Sequence, residues 1–275
     1  MRALGLLAAL SLAAACGDPA ASTPAAAAGA DLGPGDVTAP RARIVGSVVD
    51  LERRALPGVR VQLCGAACRE FTTSRDGIFE IPDVERGDYG VHLELPAADP
   101  LLFGKVVLPL YAFDPKATPV RALPVTVVPR LGPEVKLGAG RQTVPIDGTL
   151  ALGLDADALK LPPGSGAPRL SGVRVPAALY PDFCLPGGDG RIVAEWALGP
   201  FATESSAPID VHIADSLGLS AGSAVFLSTI DPATGRPDRQ GFGRVSADGK
   251  SIDSLAMMGI RRLTWLVVSL PGGGA

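Results

Sequence analysis

Few residues in this chain are of types and spacings that could do chemistry. Cys64 and Cys68 stand close together in VQLCGAACREF, residues 61–71. Such a pair can hold a metal, shuttle electrons or clip a loop. Zinc needs a tetrahedral ligand set, and no other Cys or His lies nearby in the sequence. A redox pair is usually CxxC at a helix start, whereas this is CxxxC between strand-like runs. His92 and His212 are the only histidines. Nucleophilic catalysis wants a Ser or Cys beside a His that a carboxylate orients. Both histidines fall on outward positions of alternating stretches, where a solvated strand residue is the simpler expectation. No GxSxG elbow, P-loop or GxGxxG follows a strand-like run. Asp155 and Asp157 have the alternate spacing of calcium ligands, and Asp189 lies in a GGDG turn. Calcium takes about six or more oxygens in a longer series with a closing Glu. Here the series stops after two, so Asp155 reads better as a helix cap or turn residue. Trp196, Trp265, Tyr89, Tyr111 and Tyr180 could form a sugar-stacking platform. Aromatic content is only 5%, however, so core packing claims most of them. The expectation is no catalytic residue, no metal and no cofactor.

Cys16 raises a different chemistry. The chain opens MRALGLLAALSLAAACGDP, with Arg2 as a positive n-region and residues 4–12 as a short apolar run. The run is too short to span a bilayer and has a secretory signal layout. Ala13, Ala14, Ala15 and Cys16 resemble a bacterial lipobox, with alanine at 13 where leucine is commoner. The resemblance implies removal of residues 1–15 and acylation of Cys16. The alternative is an ordinary signal peptide cut after Ala15. Several acyl chains give lasting attachment, at ~0.8 kcal/mol per buried methylene. Gly17 after the acylated cysteine favours the outer membrane under the enterobacterial sorting habit. Residues 16–40 then read as the lipidated Cys and a flexible linker. They are rich in Ala, Pro, Gly and Asp, with Leu32 and Val37 as their bulky apolar residues. Such a segment cannot bury enough apolar surface to offset its ordering entropy.

About 235 residues remain, enough for one large or two small domains. The chain has 34 Gly and 26 Pro in 275 residues, spread between short Val/Leu/Ile runs. That is the texture of a turn-rich, all-β protein. LDADALKL, residues 154–161, is the best short-helix candidate. The net charge of −3 comes from mixed signs without a basic patch, which argues against nucleic acid. No later stretch reaches the ~18 uninterrupted apolar residues of a spanning helix. Residues 101–113 come closest, broken by Lys105 and Pro109.

Residues 41–97 show period-two alternation. Val59, Val61 and Leu63 alternate with Arg60, Gln62 and Cys64; Val91 and Leu93 alternate with Gly90, His92 and Glu94. Pro57-Gly58, Asp76-Gly77 and Arg86-Gly87-Asp88 punctuate the runs as turns. The Gly46-containing strand ending at Asp50 is the first of a series of elements. After it come Leu56-Pro57-Gly58-Val59, Thr72-Thr73, Asp76-Gly77-Ile78-Phe79 and Gly87-Asp88-Tyr89. In order and spacing the series resembles the carboxypeptidase regulatory-like domain over about 55 residues. The resemblance implies a seven-stranded sandwich of transthyretin-like topology that serves as a non-catalytic scaffold. In carboxypeptidases the zinc peptidase domain is separate, and no HxxE motif occurs here. The CGAAC insert is the departure from the family.

Residues 98–130 read as a proline-punctuated connector with strand-like pieces. Residues 131–271 read as a second β-sandwich module, with Asp248-Gly249 as a strong hairpin signal. This half loosely resembles β-sandwich modules that follow regulatory-like domains in large bacterial surface proteins. Its carriers are residues 208–211, 218–222 and 225–231, and the hairpin from Gly243. They are turn chemistry and carry no functional residue.

An exported protein matures in an oxidising space, where paired thiols persist as disulfides. Cys64 shares the outward face with Arg60 and Gln62. If Phe71 faces inward, Val61 pairs with Phe71 and Cys64 with Cys68, across residues 65–67. A Cys64–Cys68 disulfide clipping the hairpin follows. This register sets Arg69 inward opposite Leu63, a conflict eased only at the sheet's open end. Cys184 is left over, buried or unpaired. The functional expectation is a lipid-anchored cell-envelope protein with a structural or interaction role. Its partner would be an envelope protein or a glycan, and the alternative is a carbohydrate- or peptide-binding surface module.

Overall fold

A computed structural model describes residues 40–96, 102–180 and 190–271. Cys16, Cys184 and Asp189 therefore lie outside the described residues, as do the leader and nearly all of the expected linker. The fold is all-β. Residues 40–131 contribute β1 (Ala42–Val49), β2 (Arg60–Cys64), β3 (Cys68–Thr72), β4 (Ile78–Val84), β5 (Gly87–Glu94), β6 (Val106–Phe113), β7 (Val120–Ala122) and β8 (Thr126–Val127). They form two sheets. One is ordered β4-β1-β7, with β8 continuing along β1; the other is β3-β2-β5-β6. Ile44, Val48, Val61, Leu63, Phe79, Ile81, Val91 and Leu93 fill the space between them and are essentially inaccessible.

Local chemistry explains the punctuation. Gly46 lies under the Phe79 ring, and a Cβ there would sit 2.4 Å from Phe79 Cζ. Gly77 has φ +70° and faces the Val48 carbonyl, where a side chain would be both strained and blocked. Thr73 Oγ1 accepts from the Val59 amide at 2.9 Å and donates to the Leu56 carbonyl at 2.7 Å. That fastens the Pro57-Gly58 turn to the end of β3.

The described part of the expected connector, residues 102–130, supplies strands to both sheets of the first unit. β6 pairs antiparallel with β5, while β7 and β8 pair parallel with β1. Among the described prolines of this stretch, Pro109 lies within β6, Pro115 and Pro119 between β6 and β7, and Pro124 and Pro129 on either side of β8. β6 ends its sheet, where a proline is tolerated because no further ladder bond is needed on that side.

Residues 132–271 contribute β9 (Val135–Lys136), β10 (Arg141–Pro145), β11 (Leu150–Asp155), β12 (Leu159–Lys160), β13 (Arg169–Val175), β14 (Ile192–Gly199), β15 (Thr203–Ile213), β16 (Ala224–Ile230), β17 (Pro237–Val245), β18 (Ile252–Ser254), β19 (Ile260–Leu263) and β20 (Trp265–Ser269). They hydrogen-bond in one continuous sheet, ordered β10-β11-β15-β18-β17-β16-β20-β14-β13-β9, with β12 and β19 also on β15. The sheet folds over a core of Val144, Leu152, Leu154, Trp196, Ile209, Val211, Leu227 and Leu266. Ile146 from the β10–β11 arm lies against Gly172 of β13, so the two ends of the sheet close on each other. The expected helix at LDADALKL is instead a single 3₁₀ turn, Ala156–Ala158, followed by β12. Extended pairing of residues 159 and 160 with β15 outcompetes a helix this short.

The two units share a core. Val175, Leu179, Ala197, Ile230, Trp265 and Val267 belong to the same buried cluster as the first sandwich. The Trp265 indole donates to the Lys105 carbonyl at 2.6 Å. The 231–235 turn presses on β6, where a Cβ on Gly235 would lie 2.5 Å from the Val107 carbonyl. At this end β14 is buried from Ala194 to Gly199 and β20 throughout. β15 and β17 instead alternate between buried and exposed positions, as strands with one solvated face should.

Candidate functional site

The solvated face of the second sheet carries the main cluster of polar side chains. Register builds it. Thr143 of β10 pairs with Gly153 of β11, and Gly153 with Asp210 of β15. One step along, His212 of β15 pairs with Asp253 of β18, which pairs with Arg244 of β17. Side chains opposed across a ladder share a face, so these groups form a row. Gly153 leaves the floor low. An open depression of about 510 Å³ results, lined by Arg141, Gln142, Thr143, Gly153, Asp210 and His212.

Its polar groups are tied in pairs. The Arg141 guanidinium bonds the Asp210 carboxylate. His212 Nδ1 lies 2.6 Å from Asp253 Oδ1. Ser251 donates to the other carboxylate oxygen, Asp253 Oδ2, at 3.0 Å. The hydroxyl thus approaches the acid and not the free imidazole nitrogen, which is not the order of a nucleophile–base–acid relay. The Gln142 amide clamps the Gly138 backbone through both its oxygen and nitrogen, at 3.2 and 2.8 Å. That fixes the rim. The arrangement offers a flat, half-solvated set of donors and acceptors suited to a polar ligand.

The sequence-predicted residues are distributed differently from that cluster. Cys64 and Cys68 form a disulfide, with Cα atoms 4.1 Å apart. The register is Val61 with Phe71, Leu63 with Arg69 and Cys64 with Cys68. Arg69 resolves its inward placement at the end of the sheet: its guanidinium donates to the Pro82 and Asp83 carbonyls at 3.0 and 3.3 Å. His92 is not a solvated strand residue. Its Nε2 lies 3.1 Å from the Ala233 carbonyl, so that nitrogen carries the proton. Burial lowers its pKa, the Lys105 charge lowers it further, and the Ala233 bond only partly opposes them. His92 therefore joins the two units as a neutral donor. His212 is solvent-exposed as expected, but it is held by Asp253, 41 residues away.

Asp155 caps the 3₁₀ turn by accepting from the Asp157 amide. Among the described residues, no group of three His, Cys, Asp or Glu side chains is placed to hold a metal. Trp196 and Trp265 are fully buried and cannot stack on a ligand. Trp196 donates to Asp147 Oδ2 at 2.8 Å inside the fold. Burial raises the Asp147 pKa, but bonds from Thr149, Leu150 and Trp196 outweigh it and hold the group below its ordinary value. The Tyr89 hydroxyl donates to the Glu85 carbonyl at 3.1 Å.

One titratable residue escaped sequence reasoning. Glu195 lies in β14 on the same side of the strand as Ala197, paired with Val175 and Val267. It is inaccessible, and among the described residues neither carboxyl oxygen has a hydrogen-bond partner. Desolvation pushes its pKa up to about 9. The acid is therefore neutral in the native fold. In RIVAEWALGP nothing distinguishes it from a surface glutamate; only coverage of the outer face by other elements does.

No protein-family model matches the chain, and no curated protein matches it. Among solved structures it is similar to a streptococcal ancillary pilin at 11% identity and TM-score 0.24, covering 86% of this chain and 55% of that one. The chain thus spans little more than half of that pilin. A DUF3823 family protein from Bacteroides ovatus is 8% identical with TM-score 0.24, over 85% of this chain and 83% of that one. A Bacteroides uniformis protein proposed to bind carbohydrate is 10% identical with TM-score 0.26, over 83% and 98%.

Proposed function

We propose that this chain is a lipid-anchored cell-envelope protein, held at the outer membrane through Cys16, that binds rather than catalyses. Its first sandwich is read as a carboxypeptidase regulatory-like scaffold on the motifs from Gly46 to Tyr89. The observation that carries the binding role is the state of the polar groups on the open face. Arg141–Asp210 and His212–Asp253 are closed pairs on a shallow surface, with Ser251 turned to the carboxylate. No activated nucleophile or cofactor is invoked. Labelled-lipid incorporation that disappears in Cys16→Ala tests the anchor, and an unlipidated mature protein in the native envelope would sink it.

The second reading, a carbohydrate- or peptide-binding module, draws on the depression floored by Gly153. Its polar lining fits hydroxyl or amide groups. Trp196 has no part in it, because that side chain is buried. Glycan- and peptide-array binding that is lost in Arg141→Ala and His212→Ala would support this reading. Array binding unaffected by both changes would place any ligand elsewhere.

A further inference from the structure

Beside the polar row, on the same sheet face, a cluster of large apolar side chains stands in solvent. Phe242 of β17 is 38% exposed, Leu255 36%, Met258 45% and Met257 78%. The loop that bears them is fastened. Leu255 N donates to the Phe242 carbonyl at 2.8 Å, Phe242 N to the Met258 carbonyl at 3.1 Å, and Met258 N to the Leu255 carbonyl at 2.8 Å. Gly241 makes room for the loop, since a Cβ there would lie 1.9 Å from the Met258 carbonyl. Met257 has φ +64°, a left-handed conformation that a long side chain rarely adopts. The backbone thus holds its most exposed methionine outward at the cost of local strain.

Two arginines lie close to Phe242. Arg239 stacks on Phe226, its Cζ 3.6 Å from the ring centroid, and Phe226 meets Phe242 edge to face at 5.3 Å. Arg244 lies two residues along β17 from Phe242, on the same face. Among the described residues no salt bridge joins either arginine to a carboxylate, although Asp253 stands opposite Arg244 across the ladder. The neighbouring acids are engaged elsewhere: Asp253 with His212, Asp238 with Gln240 and Asp248 with Ser246.

We propose that this patch docks the folded body on an anionic lipid surface. Met257, Met258 and Leu255 enter the headgroup–acyl boundary, while Arg239 and Arg244 meet lipid phosphates. Exposed apolar side chains beside two arginines that lack a salt bridge match interfacial binding, in which apolar groups enter the headgroup layer and cations meet its phosphates. The proposal does not depend on acylation of Cys16.

Oxidation of Met257 and Met258 by hydroxyl radicals, read residue by residue in the full chain by mass spectrometry, tests it. The conditions are vesicles of phosphatidylglycerol in phosphatidylcholine, vesicles of phosphatidylcholine alone, and no vesicles. Both methionines should oxidise several-fold more slowly on the anionic vesicles. Combining Arg239→Gln with Arg244→Gln should remove that protection, each neutralised cation lowering affinity on the order of five-fold. Met257→Asn suits a left-handed backbone and keeps the fold, yet should weaken protection of Met258. Equal oxidation with and without anionic vesicles overturns the proposal, even where the chain is held on the vesicles by its N-terminus. Equal protection on neutral vesicles overturns its charge-directed form.

Discussion

At the β13–β14–β20 end of the second sheet both faces are covered, and Glu195 stands there with no hydrogen-bond partner among the described residues. At the β11–β15–β18 end one face is open, Asp210 holds Arg141 and Asp253 holds His212. The side-chain chemistry is the same, a carboxyl on a β-strand, and coverage decides its fate. Under the first sandwich a carboxyl keeps its proton because desolvation penalises the charge more than any neighbour relieves it. In the open it finds a partner. The covered end is built for cohesion between the two units, and the open end is where a ligand can still reach polar groups.

Trp265→Ala breaks this contrast most severely. Trp265 lies in the shared cluster and donates to Lys105, so its loss should cost about 3–5 kcal/mol in urea unfolding. Glu195→Leu sharpens the contrast. The folded value of about 9 lies above the ordinary value of 4.5. Between those values the native state binds a proton that the unfolded chain has released. The contribution of this group is therefore complete below pH 4.5 and is lost as pH rises towards 9. Wild-type stability should fall by up to about 1.4 kcal/mol per pH unit in that window from this group alone. Glu195→Leu should flatten that slope and stabilise the protein by about 1–3 kcal/mol at neutral pH. A variant with the wild-type slope would show the carboxyl to be solvated.

Smaller effects belong to exposed features. Replacing Cys64 and Cys68 by Ser opens a short loop and should cost about 2 kcal/mol in thermal unfolding. At the open end, Asp253→Asn should cost under about 1 kcal/mol, because the His212 pair is solvent-exposed. Its effect should fall on ligand binding. A loss as large as that of Trp265→Ala would mean the open face is structural after all.

Much of this was legible in the residues. Alternation located β2 and β5, turn chemistry located Gly77 and Gly249, and side-chain direction set the Cys64–Cys68 register. These are local signals with a period of two. The failures share a different cause. β6 was hidden because Pro109 masks an edge strand. His92 meets Ala233 across 141 residues, and His212 meets Asp253 across 41. Glu195 sits one residue before a core tryptophan and is buried only because its outer face is covered. Such facts depend on which elements stack, and a single sequence carries no local trace of that.

Differential scanning calorimetry of the full chain tests the shared core most directly. If the first sandwich and the covered end of the second sheet form one cluster, they must unfold together. The prediction is a single transition whose calorimetric and van't Hoff enthalpies agree, shifted as a whole by Trp265→Ala. Two separable transitions, with only one of them moved by that substitution, would contradict it.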